Sequence, residues 1–128
     1  MKNISSKFDL EDRLVDFACM CIDVCDLLPG SQVGKNLQYQ LSKSATASAL
    51  IYGEAQAAES PSDFIHKMKM VLKEIRESRV NLKIVIRKPI VINECVNKAF
   101  DESGQLMAIF LKSIETAKVN ASQLKKQG

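Results

Sequence analysis

The chain has 128 residues and a formal net charge of +3, a length at which one domain can bury a single sizeable core. Hydrophobic residues make up 46% of it and charged residues 26%, while there are only 5 glycines and 3 prolines. This composition excludes a disordered chain, a collagen-like repeat and a turn-rich all-β domain, and it favours helices.

Uninterrupted apolar runs are short, such as the five residues 107–111, whereas a membrane-spanning helix needs about 20. No membrane span is therefore expected. Acidic residues such as Asp9, Glu11 and Asp12 stand where a secretory signal would place its apolar segment. The sequence accordingly predicts a cytoplasmic protein.

The first half of the chain predicts two helices. Asp9 is a candidate N-cap, and apolar residues then recur at alternating spacings of four and three as far as Pro29, which predicts a helix over residues 9–28. No proline interrupts residues 31–59, where a second helix has an unusually small apolar face of serine and alanine. Gly53 lies inside this helix, and we attribute it to the close approach of a neighbouring helix.

Two further helices are predicted in the second half. Ser60 as N-cap and Pro61 at the first helical position mark the beginning of a helix over residues 61–87. Pro89 breaks it, and the apolar spacing resumes over residues 90–121, followed by a polar tail that is expected to fray. Short connections between long helices imply antiparallel neighbours. We therefore predict an all-α, antiparallel up-down-up-down four-helix bundle that forms one domain over residues 1–128.

Side chains that support catalysis are scarce. His66 is the sole histidine, so any nucleophilic triad must use it, and a surface role is the simpler interpretation. Cys21 and Cys25 are spaced for one helical face, but a zinc site needs further ligands, and buried apolar filling is the simpler role for Cys21. Glu54 is expected to pair with a lysine or an arginine. The sequence thus predicts free thiols, no catalytic residue, no metal, no cofactor and no enzymatic activity.

The third helix has the most informative surface. Residues 60–88 hold eight basic and three acidic side chains, and five of the cations fall on one helical face, so that they would lie along a nucleic-acid backbone. These five cations are Lys69, Lys73, Arg76, Lys83 and Arg87. No aromatic residues lie between them to stack on bases. An ordinary solvated face is the competing interpretation.

An adjacent row on the same helix mixes charged with apolar residues. Met70, Val80 and Ile84 are not needed by a core that the main apolar face already fills. Because exposed apolar residues in a row often mark an oligomer interface, we predict self-association through these three residues.

Four segments of the chain form a combination that is typical of one known family. They are DLEDRLVDFA (residues 9–18), LPGSQVGKNLQYQLSKSAT (28–46), YGEAQAAES (52–60) and DFIHKMKMVLKEIRES (63–78). In this order they resemble the proteins encoded in intervening sequences of bacterial 23S ribosomal RNA genes. The resemblance implies a four-helix bundle that assembles into a homopentamer in bacterial cytoplasm, without established catalytic residues or cofactor. A related accessory protein of retroelements binds nucleic acid and a reverse transcriptase. The resemblance to it implies that this chain binds nucleic acid or an enzyme that acts on nucleic acid.

Two functions from different classes remain at this point, and a small hydrolase that uses His66 with a cysteine is a third possibility. One is a non-enzymatic oligomeric bundle that binds RNA or DNA, or serves as an accessory scaffold for a nucleic-acid enzyme. The other is a purely protein-binding oligomeric scaffold with no nucleic-acid role and a solvated basic face. A small-molecule substrate is not indicated.

Overall fold

The structure is a computed structural model that describes residues 9–127, and within that range it contains four α-helices and no strand. The helices are α1 (Leu10–Leu27), α2 (Gln32–Gln56), α3 (Pro61–Arg87) and α4 (Glu94–Gln127). The predicted all-α class with four helices is confirmed. Residues 1–8 and 128 of the predicted domain lie outside the described residues.

Short-range capping fixes where the first three helices begin. The side chain of Asp9 accepts a hydrogen bond from the backbone N–H of Asp12 at 3.2 Å, and Ser31 does the same for Gly34. The Ser60 hydroxyl accepts from the N–H of Asp63 at 3.1 Å, with Pro61 in the first turn. Each cap satisfies a backbone donor that has no partner within its helix.

Three predicted helix ends are wrong. Helix α2 ends at Gln56 rather than at residue 59, because the chain must leave the helix before the cap at Ser60. Helix α4 begins at Glu94 rather than at residue 90, because the three residues that follow Pro89 are β-branched and disfavour a helix. The Asn93 side chain then caps α4, since it accepts a hydrogen bond from the backbone N–H of Cys95 at 2.8 Å.

The far end of α4 also differs from the prediction. The helix continues to Gln127 rather than ending at residue 121. Ala117, Ala121 and Leu124 extend its apolar spacing, and they line shallow apolar grooves with Pro61 and residues next to it in α3. This packing stabilises the last turns of a helix whose sequence is otherwise polar.

One core joins the four helices, with contacts between α1 and α2, α2 and α3, α3 and α4, and α1 and α4. Its largest fully buried side chains come from the predicted apolar faces: Leu14, Phe17, Leu41, Met68, Ile75, Leu82, Leu106 and Phe110. Tyr52 meets Phe110 edge to face, with 5.7 Å between the ring centroids. Ile92, which lies within the fourth helix predicted over residues 90–121, is 87% exposed, because it precedes α4.

The buried hydroxyls of the small faces are all satisfied. Ser44 of α2 and Ser78 of α3 are hydrogen-bonded to each other at 2.7 Å, and each hydroxyl also reaches a carbonyl of its own helix. Ser48 and Ser103 likewise donate to backbone carbonyls one turn earlier. Among residues 9–126, no buried side-chain nitrogen or oxygen lacks a partner. The core therefore accepts these serines without an unpaired polar atom.

The explanation given above for Gly53 is wrong. A Cβ atom added at Gly53 would have no atom of another described element within 4 Å, so none of the helices α1, α3 and α4 approaches it. The close approach occurs instead at Gly34, in the first turn of α2, where an added Cβ would overlap the carbonyl oxygen of Pro29. The short connection between α1 and α2 folds back onto α2 at this point, which requires a residue without a Cβ.

Candidate nucleic-acid interface

Helix α3 separates its two kinds of surface cleanly. Its buried side chains, among them Val71, Ile75 and Leu82, fill the core, and all five predicted cations are exposed. We call Lys69, Lys73, Arg76, Lys83 and Arg87 the basic row. At about 1.5 Å per residue, the row extends over about 27 Å of the helix.

The basic row is almost free of intramolecular partners. Among the described residues, only Lys73 of the five is in an ion pair, with Glu77 one turn away at 3.8 Å, and both side chains are well exposed. An exposed pair at that distance contributes little to stability. The cations of the row are therefore available to an external anion.

Two cations outside the basic row, Arg13 and Lys67, are paired with carboxylates of neighbouring helices. Arg13 of α1 donates from Nε to Glu102 of α4 at 2.8 Å and from Nη2 to Glu102 and Gln105 at 3.0 Å. Lys67 of α3 pairs with Glu54 of α2 at 2.8 Å, which is the kind of partner expected for Glu54. These cations connect helices, unlike those of the basic row.

Arg79 of α3 faces α4 and, unlike the cations of the basic row, makes several contacts within the chain. Its guanidinium lies over the Phe100 ring, 3.9 Å from the centroid, and donates to the Phe100 carbonyl at 2.8 Å and to the Ser103 hydroxyl at 3.0 Å. Gly104 leaves room for it, since a Cβ there would lie 2.8 Å from Nη1 of Arg79. Arg79 therefore holds α3 against α4 and does not belong to the basic row.

The predicted interface residues lie at different depths. Val80 is 50% exposed and Ile84 46% exposed, and both line a groove of about 460 Å³ with Lys73, Arg76 and Gln40 of α2. Met70 is half-buried and is not part of this lining. The structure thus brings Val80 and Ile84 together beside the basic row and leaves Met70 apart. Oligomerisation through these residues stays a prediction.

A second groove, of about 280 Å³, adjoins the first and brings in residues that the sequence analysis missed. It lies between α2 and α3 and is lined by Tyr39, Gln40, Lys43, Ser44, Lys73, Glu74 and Glu77. The ammonium of Lys43 is 5.6 Å from the centroid of the Tyr39 ring, within cation–π range. An aromatic side chain therefore stands next to the basic row after all, on the neighbouring helix.

Two carboxylates, Glu74 and Glu77, offset the positive charge of the lysines in this second groove. Glu74 is half-buried, and burial and then the nearby Glu77 raise the pKa of its carboxyl group, whereas Lys73 and Lys43 act in the opposite direction. Two lysines and two glutamates face the same space. The groove is consequently polar but close to neutral, and the excess positive charge lies on the outer side of α3.

The remaining chemistry-bearing side chains are dispersed. His66 is exposed. Cys21 and Cys25 are buried and Cys19 and Cys95 exposed, all four as free thiols. Burial raises the pKa of the Cys21 and Cys25 thiols. Within residues 9–127, no three His, Cys, Asp or Glu side chains lie close enough to hold a metal ion.

A further groove, of about 510 Å³, has no member of the basic row in its lining. Its lining is mainly apolar and comes from all four helices, including Leu10, Tyr52, Phe64 and Ile109.

None of the helices described here has the combined length and apolarity that crossing a bilayer requires.

Comparison with known proteins gives one informative similarity. No family model matches the chain, and no curated protein matches it. Among solved structures, it is similar to a protein with unknown function from the S23 ribosomal protein family of Bacteroides thetaiotaomicron. The TM-score is 0.74 and the sequence identity 25%, over 81% of this chain and 96% of the other. The chain thus shares its four-helix fold with a member of that family.

Proposed function

We propose that this protein is a non-enzymatic helical bundle that binds RNA or DNA through the basic row of α3, alone or as an accessory scaffold for a nucleic-acid enzyme. The observation that supports this most directly is the exposure of five cations on one helical face. Of these five cations, only Lys73 forms an ion pair with a described residue, and that pair is long and exposed. Phosphates neutralise such cations without requiring a shaped pocket.

The similarity to a protein of the S23 ribosomal protein family is compatible with an RNA partner. Our proposal includes the finer assignment to the 23S rRNA intervening-sequence proteins, a cytoplasmic location and a homopentameric assembly. It also includes the antiparallel order of the helices. In support of that order, Glu54 pairs with Lys67 and Ser44 with Ser78, so that residue numbers fall along α2 as they rise along α3.

A purely protein-binding scaffold is the second candidate, and the exposure of Val80 and Ile84 favours it. These apolar side chains lie beside Lys73 and Arg76 in one groove. A protein surface with apolar and acidic groups would complement that mixture, whereas a phosphate backbone would use its cations alone.

The salt dependence of binding tests the proposal. The affinity of a fluorescently labelled RNA and of a DNA of the same sequence is measured from low to physiological salt. If the basic row neutralises phosphates, the logarithm of affinity falls with the logarithm of salt, by about 0.7 to 0.9 per contact. Arg76→Glu with Lys83→Glu removes two contacts, so it should flatten the slope by about 1.5 and weaken binding similarly for unrelated sequences.

The matched control is Lys98→Glu with Lys118→Glu, two exposed lysines of α4. It changes the net charge by the same amount but leaves the basic row intact, and we expect it to bind nearly as the unaltered protein does. Equal losses in the two double variants would show that only overall charge matters. No retention of either nucleic acid at low salt would refute nucleic-acid binding and leave the protein scaffold.

A further inference from the structure

Tyr39 is an exposed aromatic ring at the edge of the basic row. Its side chain is 63% exposed on α2, and it shares the second groove with Lys73 of α3. The other tyrosine, Tyr52, is buried against Phe110, and the chain has no tryptophan. Lys43 lies over the Tyr39 ring, so a planar group that docks on the ring would meet an aromatic face and a cation together.

The charge distribution separates two kinds of ligand group. In the second groove, the cations Lys43 and Lys73 are offset by Glu74 and Glu77, so a phosphate gains little by entering it. Along the outer face of α3, the other members of the basic row form no ion pair among the described residues, and Glu77 beside Arg76 is the one carboxylate that shares a groove with them. A phosphate backbone is therefore favoured on the row, and a neutral planar group with hydrogen-bonding edges is favoured in the groove.

A polynucleotide with unpaired bases has both kinds of group in the arrangement required. Gln40 and the two glutamates line the groove and offer amide and carboxylate partners for the edge of a base. In a duplex the bases are stacked and paired, and their faces cannot reach a side chain, whereas single strands present every face for stacking.

We propose that the protein selects single-stranded over double-stranded nucleic acid by stacking one base on Tyr39 while the phosphates follow the basic row. This inference rests on the proposed function, since it assumes that the row binds phosphates. It adds the class of substrate and a residue that determines specificity. RNA and DNA single strands share the chemistry required.

Tyrosine emission and affinity together provide the test. Single-stranded RNA and DNA of one mixed sequence of 12 nucleotides, and the duplex of each, are titrated into the unaltered protein, Tyr39→Leu and Tyr39→Phe. Tyr39→Leu should lose about tenfold in affinity for a single strand and little for a duplex, because base–aromatic stacking is removed. Tyr39→Phe keeps the ring and should bind as the unaltered protein does.

Emission distinguishes stacking from a general change of surface. Nucleobases quench a tyrosine on which they stack, so the unaltered protein should lose emission on binding a single strand. Tyr39→Phe retains only the buried Tyr52 and should show no such loss. Loss in the RNA arm, the DNA arm or both supports the inference and identifies the sugar that is accepted.

The outcomes separate this inference from the proposed function. If no nucleic acid binds at low salt, the proposed function itself fails. If nucleic acid binds with the expected salt slope, but Tyr39→Leu binds single strands as tightly as the unaltered protein does, the basic row stands and stacking is refuted. Equal affinity for single strand and duplex would refute it as well.

Discussion

Two glycines of α2 provide a matched test of the packing described above. In a helix interior, replacing glycine by alanine stabilises the folded state by about 1 kcal/mol when nothing opposes the added methyl group. At Gly53 the new Cβ has no atom of another element within 4 Å in the part of the chain that the structure describes. Gly53→Ala should therefore raise the free energy of unfolding by about 1 kcal/mol, or raise the midpoint temperature by about 4 °C.

The same substitution at Gly34 should have the opposite effect. Its new Cβ would overlap the Pro29 carbonyl oxygen and lie 2.8 Å from the Pro29 carbonyl carbon, which are backbone atoms that cannot rotate away. Relief requires the turn to move, which disturbs the Ser31 cap and the buried Leu28 next to Pro29. Loss of a cap costs about 1 kcal/mol and overpacking about 1 to 3, so a net loss of about 2 kcal/mol is expected.

Urea unfolding followed by circular dichroism, at several protein concentrations, measures both changes and detects coupling to assembly. The two alanine variants should differ by about 3 kcal/mol, obtained from the gain of 1 and the loss of 2. A Gly34→Ala protein as stable as the unaltered one would refute the packing argument. If Gly53→Ala instead lowers stability together with oligomer mass, a second copy lies against Gly53.

Three further predictions concern single side chains. Cys19 and Cys95 are exposed and should react quickly with a thiol reagent. Cys21 should react slowly, because its thiol is buried and burial raises the pKa of that thiol. Equal reaction rates for the three thiols would contradict this prediction. Ile84→Glu should lower the mass of any oligomer seen by light scattering while the helical circular dichroism persists, and an unchanged mass would remove Ile84 from the interface. Glu74→Gln should be more stable than the unaltered protein at neutral pH, since the raised pKa of Glu74 disfavours its charged form. That advantage should disappear as the pH falls through the folded-state pKa, and urea unfolding at several pH values measures it.

Local signals in the sequence predict the beginnings of α1 and α3 correctly. A cap residue acts on the backbone three positions later, and Pro61 restricts its own φ angle, so both effects are independent of the rest of the fold. The two bounds of α3 agree with the prediction for this reason. Where a terminus depends on what packs against it, as at the end of α4, the sequence alone gives too short a helix.

Apolar periodicity failed at Ile92 because spacing does not measure burial. Residues 90–92 are apolar and fit the helical repeat, but Pro89 removes a backbone donor, and β-branched side chains following it favour extended backbone. Ile90 and Val91 are half-buried against the core without being helical. A hydrophobic side chain can thus join a core from a loop, and the sequence pattern does not distinguish the two cases.

The sequence predicted the part of the candidate interface that lies on α3 and missed the part that lies on α2. The exposure of the basic row follows from helical spacing on α3, because residues opposite a buried face point to solvent. Tyr39 and Lys43 are four residues apart on α2, and that spacing alone predicts that they share a face. Their position beside Lys73 depends on how α2 packs against α3, which is information that only the tertiary structure supplies.

The division of cations on α3 makes the basic row unusually testable. Arg79 and Lys67 hold neighbouring helices, and replacing either would disturb packing and binding together. Arg76 and Lys83 have no ion pair among the described residues, and both are exposed on the side away from the core. Since exposed helix positions accept glutamate at little cost in stability, a change in affinity at these two sites reports on the ligand and not on the fold. The stability of each variant, measured beside its affinity, verifies that separation directly.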